Sequence, residues 1–138
     1  MASILVIDDD ASIVETLDLY LTEEGYQVRT ALTGTDGLNA YVQEPSDVVI
    51  LDIRLPDVDG FTVLEELKEE NENVKVIMIT AFHDMETTIN AMKGGAFDYI
   101  HKPVNVDELD IAIKKALKSL EMEERRVGKE CRALCRSR

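Results

Sequence analysis

Four short apolar runs of the sequence each lead into a side chain that can do chemistry. These side chains are carboxylates, a hydroxyl and an amine: Asp8, Asp9 and Asp10, then Asp52, Thr80 and Lys102. Carboxylates placed together repel one another unless a cation compensates them. A hard divalent cation such as Mg²⁺ prefers one or two carboxylates together with water and phosphate oxygens. With a hydroxyl and a fixed ammonium added, the set has the parts that phosphoryl transfer requires.

The acids divide into two roles. Asp52 stands alone after its apolar run, which suits a nucleophile that forms an acyl phosphate. Asp8 and Asp9 are then left to bind the metal. An alternative is that the three consecutive acids only cap a helix, and we expect Asp10 to do so.

The elements that must position these residues follow from five apolar runs that alternate with amphipathic stretches. The predicted strands cover residues 3–7, 27–31, 47–51, 74–79 and 97–101. Three of the runs are rich in valine and isoleucine and apolar on both faces, which is typical of buried parallel strands. The second is more polar and is expected at a sheet edge. Five β–α units in a row predict a doubly wound α/β fold, whose active groups gather beyond the carboxyl ends of the strands.

The helical patterns have clear stop signals. Gly25 is expected to end the first helix, and Gly94 and Gly95 are expected to end the fourth. The last helix has the longest apolar stripe, which ends at Leu120. We therefore predict a domain over residues 1–120, followed by a helical extension, linker remnant or tail over residues 121–138.

Charge is distributed unevenly along the chain. The net charge is −13, yet residues 125–138 carry six basic side chains and one acid. The acidic domain itself should not bind nucleic acid, because phosphates would be repelled. No leader or membrane-spanning run is visible, so a cytoplasmic location is expected. The two cysteines, Cys131 and Cys135, make a weak case for a metal site.

The last segment also carries a heptad pattern. Apolar residues recur every seven positions: Ile113, Leu120, Val127 and Leu134. This spacing predicts a homodimer seam along the final helix. Glu124 at a matching position and Gly128 oppose it, and a frayed tail after Leu120 stays the alternative.

Four segments together resemble the receiver domain of two-component response regulators. They are ILVIDDD (residues 4–10), LDIRLPDVDG (51–60), ITA (79–81) and DYIHKP (98–103). Their order and spacing match over roughly residues 3–120. The stretch GAFDY (95–99), with DIR (52–54), is most similar to receivers of the nitrogen-regulation type. Those usually precede an ATPase domain that activates transcription, which this chain lacks.

The resemblance implies a flavodoxin-like sheet of order 2-1-3-4-5 and a role for each matched residue. Asp52 would be the phosphoacceptor, and Asp8 and Asp9 would hold Mg²⁺ or Mn²⁺ together with the backbone carbonyl of Arg54. The remaining matched residues are Thr80 and Lys102, which would contact phosphoryl oxygens, and Tyr99, which would swing with Thr80. The Lys102–Pro103 peptide bond would be cis.

The partner implied is a histidine kinase or a phosphotransfer protein, with phosphorylation controlling an output such as transcription. The chemistry would be self-catalysed, so the chain would not be an enzyme with an external product. One alternative is a Mg²⁺-dependent phosphatase, but its general acid would occupy the position of Arg54, a cation. A flavodoxin-like binding module is another, but it needs a glycine-rich phosphate loop where this chain has Asp8, Asp9 and Asp10.

Overall fold

The computed structural model describes residues 2–81 and 85–130 of the 138-residue chain. Five strands alternate with five helices in this part. The strands are β1 (Ser3–Ile7), β2 (Gln27–Ala31), β3 (Val48–Asp52), β4 (Lys75–Thr80) and β5 (Asp98–His101). The helices are α1 (Ala11–Glu23), α2 (Gly34–Gln43), α3 (Gly60–Glu70), α4 (Met85–Lys93) and α5 (Val106–Glu130).

The five strands form one parallel sheet in the order β2-β1-β3-β4-β5. This order confirms the predicted doubly wound, flavodoxin-like architecture. As expected, β2 lies at an edge, and its residues are less buried than those of β3 and β4. The predicted bounds of β3 and β4 are wrong by one residue at each end, and the predicted start of β5 is one residue too early. The ladder with β1 begins at Val48, so Asp47, whose N–H donates to the Ser3 carbonyl, lies just before the strand. Asp52 pairs with Ile79 of β4 and is therefore the last residue of β3.

Helices cover both faces of the sheet, because alternate strand residues point to opposite sides. One core contains alternate residues such as Leu5 and Val49 packed against α2, α3 and α4. The other core contains Ile4 and Ile50 packed against α1 and α5. The central strands β1 and β3 are buried along nearly their whole length, so their carboxyl ends are held rigidly.

The predicted stop signals match the helix ends. Glu24 caps α1, and Gly25 follows with a φ of 99°, a left-handed conformation that glycine adopts without steric cost. Gly95 has the same φ just beyond α4. The fourth helix covers Met85–Lys93 and ends directly before Gly94, as expected.

The final helix changes the interpretation of the heptad pattern. α5 continues past Leu120 to Glu130. Ile113 is fully buried against the sheet, so its assignment to a dimer seam is wrong. The side chains of Val127 and Leu134 lie outside the described residues. None of the helices in residues 2–81 and 85–130 is both long and apolar enough to cross a membrane.

Candidate functional site

The carboxyl ends of four neighbouring strands bring the predicted site residues to one edge of the sheet. Asp8 directly follows β1, and Lys102 directly follows β5. Asp52 and Thr80 are the last residues of β3 and β4. Because the strands are parallel, these ends lie side by side, as the sequence predicts.

Asp8 is fully buried at this edge. Its Oδ1 atom accepts a hydrogen bond of 2.9 Å from the backbone N–H of Asp10. Its Oδ2 atom lies 3.1 Å from the Lys102 ammonium and forms an ion pair with it, but the angles are too poor for a hydrogen bond. No other donor reaches Oδ2 in the described part of the chain. Asp10 points away and caps α1, accepting from the N–H groups of Ser12 and Ile13, as expected.

Asp52 shares the Lys102 ammonium with Asp8. Its side chain is 5% exposed, and its Oδ2 atom lies 3.3 Å from Lys102 Nζ. Its Oδ1 atom accepts a hydrogen bond of 3.3 Å from the backbone N–H of Arg54. One ammonium thus faces two buried carboxylates, so the pocket has an excess of negative charge.

This excess shows in the pKa values. Burial, reinforced by the charge of Asp8, raises the pKa of Asp52 from 3.8 to about 6, and Lys102 only partly opposes the change. Burial of the Lys102 ammonium tends to lower its pKa, but the contacts with Asp8 and Asp52 outweigh this, and the pKa is raised. Lys102 therefore stays charged at neutral pH, whereas Asp52 titrates near pH 6.

The donor set fits a hard divalent cation. Ligand oxygens of Asp8, Asp9 and Asp52 all lie within 4.8 Å of one another. Asp9 is exposed, which leaves an open side for water and a phosphate oxygen. The buried Asp8 Oδ2 atom without a hydrogen-bond donor is the kind of group that a cation would satisfy.

Thr80 and Tyr99 occupy the next two strands along the edge. Thr80 is buried, and its carbonyl accepts a 2.7 Å hydrogen bond from the N–H of Lys102. Tyr99 is half-buried on β5, beside Met78 of β4, and its ring meets the His101 ring edge-on at 5.0 Å. The Lys102–Pro103 bond is cis, as the resemblance implies.

The loop between β3 and α3 contains two further acids that stand outside the carboxylate cluster. Asp59 caps α3 by accepting a hydrogen bond from the N–H of Phe61. Asp57 instead accepts hydrogen bonds from the first two residues of α2, a contact that no local pattern in the sequence indicates. Cys131 and Cys135 lie outside the described residues.

Comparison with known proteins decides the family. The model of the response regulator receiver domain matches residues 4–114. The chain belongs to this family. A receiver domain protein from Clostridium thermocellum has 37% sequence identity and a TM-score of 0.84, with 88% of this chain and 98% of that chain covered.

Two curated relatives are transcriptional regulators. The DNA-binding transcriptional regulator NtrC of Proteus hauseri is 39% identical over 115 residues, which are 83% of this chain and 24% of the relative. The transcriptional regulatory protein ZraR of Salmonella typhimurium is 39% identical over 114 residues, which are 83% of this chain and 26% of the relative. This receiver domain therefore spans about a quarter of the length of each relative. The family match confirms the predicted resemblance and does not favour the phosphatase alternative.

Proposed function

We propose that this receiver domain accepts a phosphoryl group on Asp52 from a phosphohistidine of a histidine kinase or phosphotransfer protein. The observation that carries the proposal is the position of the Asp52 carboxylate. It lies beside the acids that fit a metal on one side and 3.3 Å from the Lys102 ammonium on the other. Asp52 is thus the carboxylate at which a phosphoryl group would meet positive charge from two directions.

The transfer is a displacement at phosphorus. A carboxylate oxygen of ionised Asp52 forms the new P–O bond, the P–N bond to the donor imidazole breaks, and the imidazole leaves with the electron pair and takes up a proton. Asp8, Asp9 and Asp52, with the backbone carbonyl of Arg54, would hold Mg²⁺ or Mn²⁺. A bound cation would supply positive charge to the phosphoryl oxygens. No external product is released, so the domain is not an enzyme in the usual sense.

Lys102 and Thr80 would bind the remaining phosphoryl oxygens. Lys102 is held near Asp52 by its backbone hydrogen bond to Thr80 and by the neighbouring carboxylates. Once Asp52 carries the phosphoryl group, the ammonium still has an anion to pair with. Such preorganised charge lowers the cost of transfer, because it needs little rearrangement.

The signal would leave the site through Thr80 and Tyr99. A phosphoryl group on Asp52 would draw the Thr80 hydroxyl toward it, and Tyr99 would move into the space vacated beside β4. The affected surface would regulate an output domain, by analogy with the transcriptional regulators that this chain matches. Residues 121–138 would form the extension after a domain of residues 1–120, and self-association of the chain is a further proposal.

Intact mass after incubation with acetyl phosphate tests the phosphoacceptor function. With Mg²⁺, the chain should gain one phosphoryl group, and with chelator it should gain none. Asp52→Asn should gain none in either condition, whereas Asp36→Asn, which changes an exposed acid of α2 outside the carboxylate cluster, should still be modified. A chain that is never modified, or is modified equally with chelator, would refute the proposal.

A further inference from the structure

A carboxylate in the β3–α3 loop is fastened to the start of α2. The two oxygens of Asp57 accept hydrogen bonds of 2.9 Å from the backbone N–H groups of Gly34 and Thr35. These are the first two residues of α2, whose N–H groups have no acceptor within the helix. The hydroxyl of Thr33, the residue before them, accepts from the N–H of Asp36, and its carbonyl accepts from the N–H of Gly37. A side chain 22 residues away thus completes the cap of this helix.

The carboxylate is well suited to this position. A negative charge at a helix N-terminus is favoured by the aligned peptide dipoles, and its hydrogen bonds are charge-assisted. The Thr35 hydroxyl and the surrounding backbone amides hold the pKa of Asp57 far below its ordinary value. The contact therefore keeps its charge throughout the pH range in which receiver chemistry would be measured.

Apolar contacts surround the same junction. Gly34 is so close to the loop that an added Cβ atom would lie 2.3 Å from Val58 Cγ2 and 3.3 Å from Leu55 Cδ1. Leu55 and Val58 lie before and after Asp57 in the loop, so the loop packs against the start of α2 on both sides of the carboxylate. A side chain at position 34 would force the two elements apart.

This loop also forms one wall of the phosphoacceptor site. It begins directly after Asp52, and its ends are joined by an isolated bridge between Arg54 and Asp59. Its base is closed by the N–H of Gly60, which donates to the carbonyl of Ile53 at 2.8 Å. The Arg54 carbonyl therefore lies between two fixed points of the loop. One is the hydrogen bond at Ile53, and the other is the contact of Asp57 with α2, three residues after Arg54.

The turn between β2 and α2 supports a second wall of the site as well. The N–H of Asp8 donates to the carbonyl of Ala31, the last residue of β2, at 3.2 Å. The same short turn, residues 31–35, therefore contacts both the loop with the buried acid Asp8 and the loop with Arg54. The strands from which the two loops leave are themselves paired, Ile7 with Leu51, and this turn adds a second link between the loops.

We propose that Asp57 is a positioning residue, which holds the β3–α3 loop on α2 and thereby fixes the Arg54 carbonyl for the metal. This inference rests on the proposed metal-dependent function. It assigns Asp57 a role beyond capping: the carboxylate transmits the position of α2 to the metal shell. Removal of the side chain should leave the carboxylate cluster in place but loosen one ligand.

The test compares Asp57→Ala with Thr33→Ala in the full chain. Both substitutions remove an acceptor from the start of α2, but only the first releases the β3–α3 loop. Calorimetric titration with Mg²⁺ alone should give a dissociation constant about tenfold higher for Asp57→Ala, the low end of the loss seen when a group that orients a metal ligand is removed. Asp57→Asn should be intermediate, because its amide oxygen keeps one acceptor, and Thr33→Ala should match the wild type.

Amide hydrogen exchange of the metal-free protein gives a second readout. Exchange at Gly34 and Thr35 should accelerate in Asp57→Ala, as should exchange at the Arg54 amide across the loop. Unchanged exchange at Gly34 and Thr35 would overturn the contact itself. Faster exchange there with unchanged Mg²⁺ affinity would reduce Asp57 to a helix cap and overturn the proposal.

The outcomes also separate this inference from the function on which it rests. Equal weakening of Mg²⁺ binding by Thr33→Ala would overturn the inference, because the site would then respond to α2 in general. A wild-type chain that binds no Mg²⁺ would overturn the proposed function and the inference together. Normal wild-type binding with an unaltered Asp57→Ala variant would overturn the inference alone.

Discussion

Replacement of Asp52 by asparagine should stabilise the metal-free domain at neutral pH. Asp52 and Asp8 are both buried, and a single ammonium, that of Lys102, lies between them. The substitution removes one of the two negative charges and leaves Asp8 paired with Lys102. The amide occupies nearly the same volume, so packing should change little.

The size and the pH dependence follow from the raised pKa. The pKa of Asp52 is about 6 in the folded chain against an ordinary value of 3.8, which corresponds to about 3 kcal/mol at pH 7 as an upper bound. Between pH 4 and pH 6 the folded chain keeps this proton and the unfolded chain does not. Wild-type stability should therefore fall as pH rises through this range. The advantage of Asp52→Asn should be absent near pH 4 and complete near pH 7.

Urea unfolding followed by circular dichroism, in chelator at several pH values, measures this difference. Asp9→Asn is the matched control, because Asp9 is exposed and its carboxylate stays hydrated. Mg²⁺ at one hundred times its dissociation constant should stabilise the wild type by about 2.7 kcal/mol and so remove most of the advantage of Asp52→Asn, whose upper bound is about 3 kcal/mol. An Asp52→Asn variant no more stable than wild type at pH 7 in chelator would refute the electrostatic account.

Three further substitutions test the surrounding structure, each by urea unfolding. Lys75→Met should cost about 1–3 kcal/mol, because the Lys75 side chain is only 10% exposed and Glu123 Oε1 would lose its 2.8 Å donor; the control Lys118→Met, at an exposed lysine of α5, should cost less than about 0.5 kcal/mol, and equal losses would contradict the burial argument. Gly60→Ala should cost about 1–3 kcal/mol, since its Cβ atom would lie 2.6 Å from backbone atoms at the end of β3, and a neutral result would show that α3 shifts freely. Lys102→Met should destabilise the metal-free domain by about 1–3 kcal/mol at pH 7 and by less at pH 4, where one of its two carboxylate partners is protonated, and a loss independent of pH would argue against the ion pairs.

The fold and the edge of the sheet that carries the site were accessible from sequence because their signals are local. Buried parallel strands are near-continuous apolar runs, and each run leads to the polar residue at its carboxyl end. Asp8, Asp52, Thr80 and Lys102 are therefore brought together by topology alone. The one-residue errors in β3, β4 and β5 arise because hydrogen bonding, rather than hydrophobicity, decides where a ladder begins.

Contacts between distant segments were not accessible in this way. Asp57 caps a helix that begins 23 residues earlier, and no periodicity marks such a pairing. Lys75 looks like the polar edge of an apolar strand, although it pairs with Glu123 near the end of the chain. The heptad pattern failed at Ile113 because the same spacing serves a helix face buried against a sheet.

The location of the phosphoryl group tests the central claim most directly. Borohydride reduces an aspartyl phosphate to homoserine, and peptide mass mapping then identifies the modified position. After incubation with acetyl phosphate and Mg²⁺, we predict homoserine at position 52 and aspartate at positions 8 and 9. Homoserine at another aspartate, with Asp52 intact, would contradict the account.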